Sequence, residues 1–232
     1  MNEIKKIPYG QSTFMGMRRK NAYYVDKTMY IPEIEEIEYV FLIRPRRFGK
    51  SLFLSTLYAY YDIKDQEQFE NVFRDTWILN NQTPCRGKYL ILYFNFSAIT
   101  KDIDLMQSDF NKYCCIVIDQ FLYTYKQYIP ERISKLIEVE ILAHEKLHKL
   151  AVMLNDTEHR LYILIDEYDH FTNVLLSEQG IEAYHAITKG VGFFKQFFIN
   201  LKLLTSGKES ALERLFITGV SPTTMDDVSS CN

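Results

Sequence analysis

The stretch that most constrains this chain runs from Tyr39 to Tyr61, YVFLIRPRRFGKSLFLSTLYAYY. An apolar run, Tyr39 to Ile43, turns through Arg44, Pro45, Arg46, Arg47 and Phe48 and reaches Gly49-Lys50-Ser51. The residues beyond, Leu52, Phe53, Leu57, Tyr60 and Tyr61, recur at helical spacing over Lys50 to Tyr61. A buried strand that passes through a glycine-lysine-serine turn into a helix has the form of a phosphate cradle. Glycine lets backbone N–H groups approach an anion, and the helix N-terminus adds partial positive charge. Lys50 adds a full charge, and Ser51 offers a hydroxyl to Mg²⁺. In the pattern G-x-x-x-x-G-K-[ST] the first glycine is missing, because Arg44 stands there. Arg46 and Arg47 can be read in two ways. They pair with phosphate oxygens in place of the lost glycine turn, or they are a solvent-facing basic pair.

Further along, buried runs alternate with amphipathic ones. Tyr89 to Phe96 is rich in aromatic and aliphatic residues and predicts a second strand. Apolar residues then step by three or four from Ile103 to Tyr125, which predicts a long helix. After Pro130 a further helix is predicted from Ile133 to Leu154. Leu161 to Ile165 predicts a third strand, Ile181 to Leu203 one or two helices broken near Gly190 and Gly192, and Arg214 to Thr218 a fourth strand. Before the first strand, short helices are expected at Ser12 to Arg19 and, with Asp26 as cap, from Met29 to Glu38; another is expected at Gln66 to Phe73. Continuous apolar strands between helices imply an α/β fold around a mostly parallel sheet.

The third strand ends in Asp166-Glu167. A carboxylate at the tip of a buried parallel strand lies at the sheet edge where ligands bind. Paired with a phosphate turn, such an acid holds Mg²⁺, and the adjacent glutamate polarises the attacking water. The alternative is a helix cap or a solvated turn. Thr218 and Ser221 close the fourth strand. Either hydroxyl can reach a terminal phosphate or the water, or Thr218 is only a β-branched strand residue. A competing motif is His144-Glu145-Lys146-Leu147-His148, which matches H-E-x-x-H on a predicted helix and would make a zinc hydrolase. Lys146 inside the motif and the lack of a further histidine in the expected continuation argue for a wet helical face instead.

Composition excludes several classes. With 232 residues, 47% of them hydrophobic, the chain can bury a substantial core. The formal net charge of -3 carries no nucleic-acid signature. No apolar run reaches the ~18 residues of a membrane span, and no leader is evident. Cys85, Cys114, Cys115 and Cys231 form no C-x-x-C pair, so reduced thiols and a cytoplasmic location are expected.

Five landmarks then occur in order: Pro8-Tyr9-Gly10, Tyr24-Val25-Asp26-Lys27-Thr28, Arg44-Pro45-Arg46-Arg47-Phe48-Gly49-Lys50-Ser51, Ile165-Asp166-Glu167-Tyr168-Asp169, and Phe216-Ile217-Thr218-Gly219-Val220-Ser221-Pro222. Together they resemble the AAA-ATPase-like P-loop proteins, in which RPRRFGKS stands in the place of the usual Walker A loop. Full-length members often carry a C-terminal domain related to PD-(D/E)xK nucleases. The resemblance implies a three-layer sandwich with a sheet of order 5-1-4-3-2. Only 14 residues follow Thr218, so a shortened module without strand 5 is expected, with 1–38 as an N-terminal extension and 39–232 as the P-loop domain. Strand 1 would then be an exposed edge.

The implied ligands are ATP and Mg²⁺. Lys50 would meet the β- and γ-phosphates, the backbone from Phe48 to Ser51 would wrap them, and Arg46 or Arg47 would add charge. Ser51 and Asp166 would hold Mg²⁺, and Glu167, with Thr218, would serve hydrolysis. A nucleotide-gated interaction module without turnover is the alternative. Its partner would be a nuclease-like domain or another protein, with neither nucleic acid nor membrane indicated.

Overall fold

Residues one apart on each strand point into different layers, and this alternation organises the molecule. The computed structural model describes residues 5–64, 66–99, 102–189, 192–206 and 209–221. Expectations that fall on Gly190, Pro222, Cys231 and the polar tail lie outside them. The strands are β1 (Tyr39–Ile43), β2 (Tyr89–Asn95), β3 (Arg160–Asp166) and β4 (Leu212–Gly219). They form one parallel sheet of order β1-β4-β3-β2, the order 1-4-3-2 expected for this fold class. Among the described residues β1 pairs only with β4, and Phe41 at its centre is 43% exposed.

One face carries Ile91, Tyr162, Leu164 and Phe216. Against it pack α1 (Phe14–Arg19), α2 (Ile31–Glu35), α3 (Lys50–Tyr61) and α4 (Phe69–Val72), through Phe14, Ile31, Leu54, Leu57 and Phe69. The other face carries Leu90, Leu92, Phe94, Ile163, Ile165 and Ile217. It is covered by α5 (Ile103–Thr124), α6 (Glu131–Glu138), α7 (Ala143–Leu154), α8 (His170–Gln179), α9 (Ile181–Thr188) and α10 (Phe193–Ser206). The result is the three-layer sandwich.

The segment before β1 is bound into the first layer. The Phe14 N–H donates to Ser55 Oγ of α3 at 2.7 Å, and the buried Arg18 Nε donates to the Val72 carbonyl at 2.7 Å. Some helices differ from their sequence expectation. The helix expected from Met29 to Glu38 is a 3₁₀ turn, Thr28–Tyr30, followed by the short α2. Asp26 precedes it and accepts from the Thr28 N–H at 2.9 Å. The helix expected from Ile133 to Leu154 is two, because Leu142 is extended. Asn111 of α5 stabilises that break: its Oδ1 accepts from the Ala143 N–H and its Nδ2 donates to the Ile141 carbonyl, both at 2.6 Å. Helix α8 had no expectation at all.

Candidate functional site

Because the strands are parallel, β1, β3 and β4 all end at the same sheet edge, and each leads into one part of the site. After Ile43 the chain forms the turn 44–49. The turn is tied to β4 by the Arg44 N–H, which donates to the Gly219 carbonyl at 3.2 Å. Gly49 caps α3 with φ 78°, a left-handed conformation that glycine adopts without strain. Arg47 is also left-handed, at φ 69°. Lys50 is 8% exposed, and its ammonium turns back into the loop, donating to the Arg44 carbonyl at 2.9 Å and the Pro45 carbonyl at 3.1 Å. It makes no ion pair among the described residues. Arg46, Arg47 and Phe48 are exposed, and neither arginine has an ion-pair partner among the described residues.

The second half of the site comes from β3 and β4. Asp166 follows Tyr162 and Leu164 by four and two residues, so its side chain lies on the α3 side of the sheet. Thr218 follows Phe216 in the same parity. Both are buried, and the Thr218 hydroxyl donates a short hydrogen bond to Asp166 Oδ1. The Glu167 N–H donates to the same oxygen at 3.1 Å, and the Tyr93 hydroxyl to Oδ2 at 3.4 Å. Burial, then the neighbouring Asp166 carboxylate, pushes the Tyr93 phenol well above its ordinary range, so it remains a donor. Glu167 has φ 51°, a strained conformation for a non-glycine residue. Its partly exposed carboxylate lies 3.5 Å from His170 Nδ1.

No hydrogen bond or ion pair among the described residues joins Lys50 or Ser51 to Asp166 or Glu167. The expected site residues therefore form two groups at one edge: Gly49, Lys50 and Ser51 at the start of α3, and Asp166, Glu167 and Thr218 at the ends of β3 and β4, Asp166 and Thr218 lying on the α3 face and Glu167 reaching His170 of α8. Arg46 and Arg47 stand outside both. Beside the turn lies a mostly apolar cavity of about 630 Å³. Ile34, Ile37, Val40 and Leu42 line it, together with the charged Lys27, Glu33, Arg44 and Lys50.

Two further residues organise the site. Asp169, 1% exposed, accepts from the Val220 N–H at 3.0 Å and from the Ser221 N–H at 2.5 Å. The Tyr168 hydroxyl donates to the Ser221 carbonyl, and the Tyr168 N–H to the Thr218 carbonyl at 3.1 Å. These two side chains clamp the exit of β4. A Cβ on Gly219 would fall 2.2 Å from the Tyr168 ring and 2.8 Å from Asp169 Oδ1. The sequence signal was the fixed order of Tyr168-Asp169 and Gly219-Val220-Ser221, though it does not say that they touch.

The competing zinc motif fares differently. His144 and His148 lie on α7, in a groove with Glu140, Lys149 and Asn200. No group of three metal-ligating side chains gathers there among the described residues. Lys146 is buried, and its ammonium meets Asp119 Oδ1 of α5 at 2.6 Å. No described helix is long and apolar enough to cross a membrane.

A family model described as Predicted AAA-ATPase matches residues 8–229. An uncharacterized protein in the vnfD 5' region of Azotobacter chroococcum mcd 1 is 54% identical over 55 residues, which are 23% of this chain and 11% of that protein. No solved structure matches.

Proposed function

The chain belongs to the predicted AAA-ATPase family, and from that premise we propose that the turn from Arg44 to Ser51 binds ATP and that the molecule hydrolyses it with Mg²⁺. The observation that carries the reading is Lys50. It is a nearly buried cation held, among the described residues, by two carbonyls of its own turn, beside a left-handed glycine at a helix N-terminus. An incoming phosphate replaces those bonds to neutral carbonyls with an ion pair, in which both donor and acceptor are charged. The apolar cavity beside the charged turn suits a ligand that is anionic at one end and flat and apolar at the other.

The donor set fits Mg²⁺. The Asp166 carboxylate and the Ser51 hydroxyl are hard oxygen ligands, and Mg²⁺ is commonly held by one or two carboxylates together with substrate phosphates. When bound, it supplies charge neutralisation on the phosphate oxygens. Thr218 and Tyr93 fix the orientation of Asp166 through their hydrogen bonds to its two oxygens. Glu167, presented outward by its left-handed backbone, accepts the proton of the attacking water.

Binding of ATP with and without Mg²⁺, and phosphate release, test this reading. Lys50→Ala should abolish measurable binding, and unchanged affinity would overturn the assignment. Glu167→Gln should bind ATP as the wild type does but release phosphate about a hundredfold more slowly. Equal turnover would remove Glu167 from the mechanism. Tight binding without phosphate release in the wild type would identify a nucleotide-gated module instead.

A further inference from the structure

The segment Tyr24-Val25-Asp26-Lys27-Thr28 has no role in the reading above, yet it lies directly against the phosphate turn. Lys27 Nζ is 3.5 Å from the Phe48 carbonyl, and a Cβ on Gly49 would stand 3.8 Å from it. Lys27 lines both the apolar cavity and a smaller one formed with Tyr24, Arg47 and Leu52. Glu33 borders the larger cavity too, but Lys27 makes no ion pair with it or with any other described residue.

The backbone around this lysine is pinned on both sides. Asp26 Oδ2 accepts from the Trp77 N–H at 2.6 Å. The fully buried Thr28 accepts from the Ile78 N–H at 3.1 Å through Oγ1. Two anchors thus flank one cation whose ammonium ends at the mouth of the turn. Ordering a long side chain costs entropy, and a single 3.5 Å contact to a carbonyl is weak compensation. An anion bound in the turn would compensate far better.

We propose that Lys27 is a second phosphate-binding cation, delivered to the turn from the segment that precedes β1. It contacts the anionic chain of the nucleotide at the mouth of the turn, beside Phe48 and Gly49. The inference rests on the ATP-binding reading and goes beyond it, because no phosphate-turn pattern includes a residue so far upstream.

The test uses the full chain and titrates Mg·ATP into wild type, Lys27→Met, Lys27→Arg and Lys50→Ala. Lys27→Met should bind about tenfold more weakly, the loss of one charge-assisted contact. Lys27→Arg should recover most of the affinity. The gap between wild type and Lys27→Met should narrow with added salt, because an exposed cation's attraction is screened. Thermal melting of Lys27→Met should match wild type, since the side chain is exposed. Wild-type affinity in Lys27→Met, with binding lost in Lys50→Ala, would overturn the role of Lys27 alone. Wild-type affinity in both would overturn the ATP site and this inference with it. Weakening that salt does not reduce, or that Lys27→Arg does not repair, would also overturn it.

Discussion

At the scale of single residues, the most demanding position is Asp169. Its buried carboxylate accepts from two consecutive backbone N–H groups at the exit of β4. Bonds from neutral donors to a charged acceptor are worth more than ordinary ones, and Asp169→Ala removes both at once. The variant should lose about 2–3 kcal/mol, read as a lower urea midpoint, whereas Asp169→Asn keeps one acceptor oxygen and should lose less. Gly219→Ala acts on the same contact from the other side. Its Cβ would press on the Tyr168 ring, and overpacking of this kind costs about 1–3 kcal/mol. A stability for Gly219→Ala equal to that of wild type would show that Tyr168 moves freely.

At the scale of elements, β1 carries the phosphate turn and yet is a sheet edge among the described residues. Its outer N–H groups lack a strand partner there, while β3 is hydrogen-bonded on both sides. Amide hydrogen exchange should therefore be faster in β1 than in β3 by orders of magnitude. Equal protection would mean that another part of the molecule or another chain covers this edge. The strands and the strand-turn-helix were legible because their signals are local. Five consecutive apolar residues and a Gly-Lys-Ser turn need no distant partner to be recognised. Asp166 and Thr218 were legible as strand tips, although their mutual hydrogen bond was not. What escaped the sequence depends on contacts between remote residues. The break at Leu142 exists because Asn111, some thirty positions earlier, satisfies the freed backbone groups. Tyr93 reads as an ordinary strand aromatic until β2 is set beside β3, which brings its hydroxyl to Asp166. Lys27 reads as one surface cation among many until the chain folds it onto the turn.

At the scale of the whole molecule, the three layers bury many of the chain's 17 tyrosines, among them Tyr61, Tyr89, Tyr125 and Tyr162. Burial pushes Tyr61, Tyr93, Tyr125 and Tyr162 well above the ordinary range, and nearby carboxylates reinforce it, Glu35 for Tyr61 and Asp62 for Tyr125. In the unfolded chain these groups ionise near pH ~10. Since the folded pKa lies above the unfolded one, the stabilisation is complete below pH ~10 and is lost as pH rises beyond it. The urea midpoint should hold steady towards pH 9 and fall steeply above 10, with phenolate absorbance growing as the chain unfolds. A midpoint that is flat through pH 11 would show that these phenols ionise in place.

The hydrogen bond from the Trp77 N–H to the Asp26 carboxylate has an optical consequence. Trp77 is the chain's single tryptophan, and its ring is partly exposed. It is attached at its own amide to the residue next to Lys27. All indole emission from this protein therefore originates beside the segment that approaches the turn. Intrinsic fluorescence reports on that segment without a label and without background from a second indole.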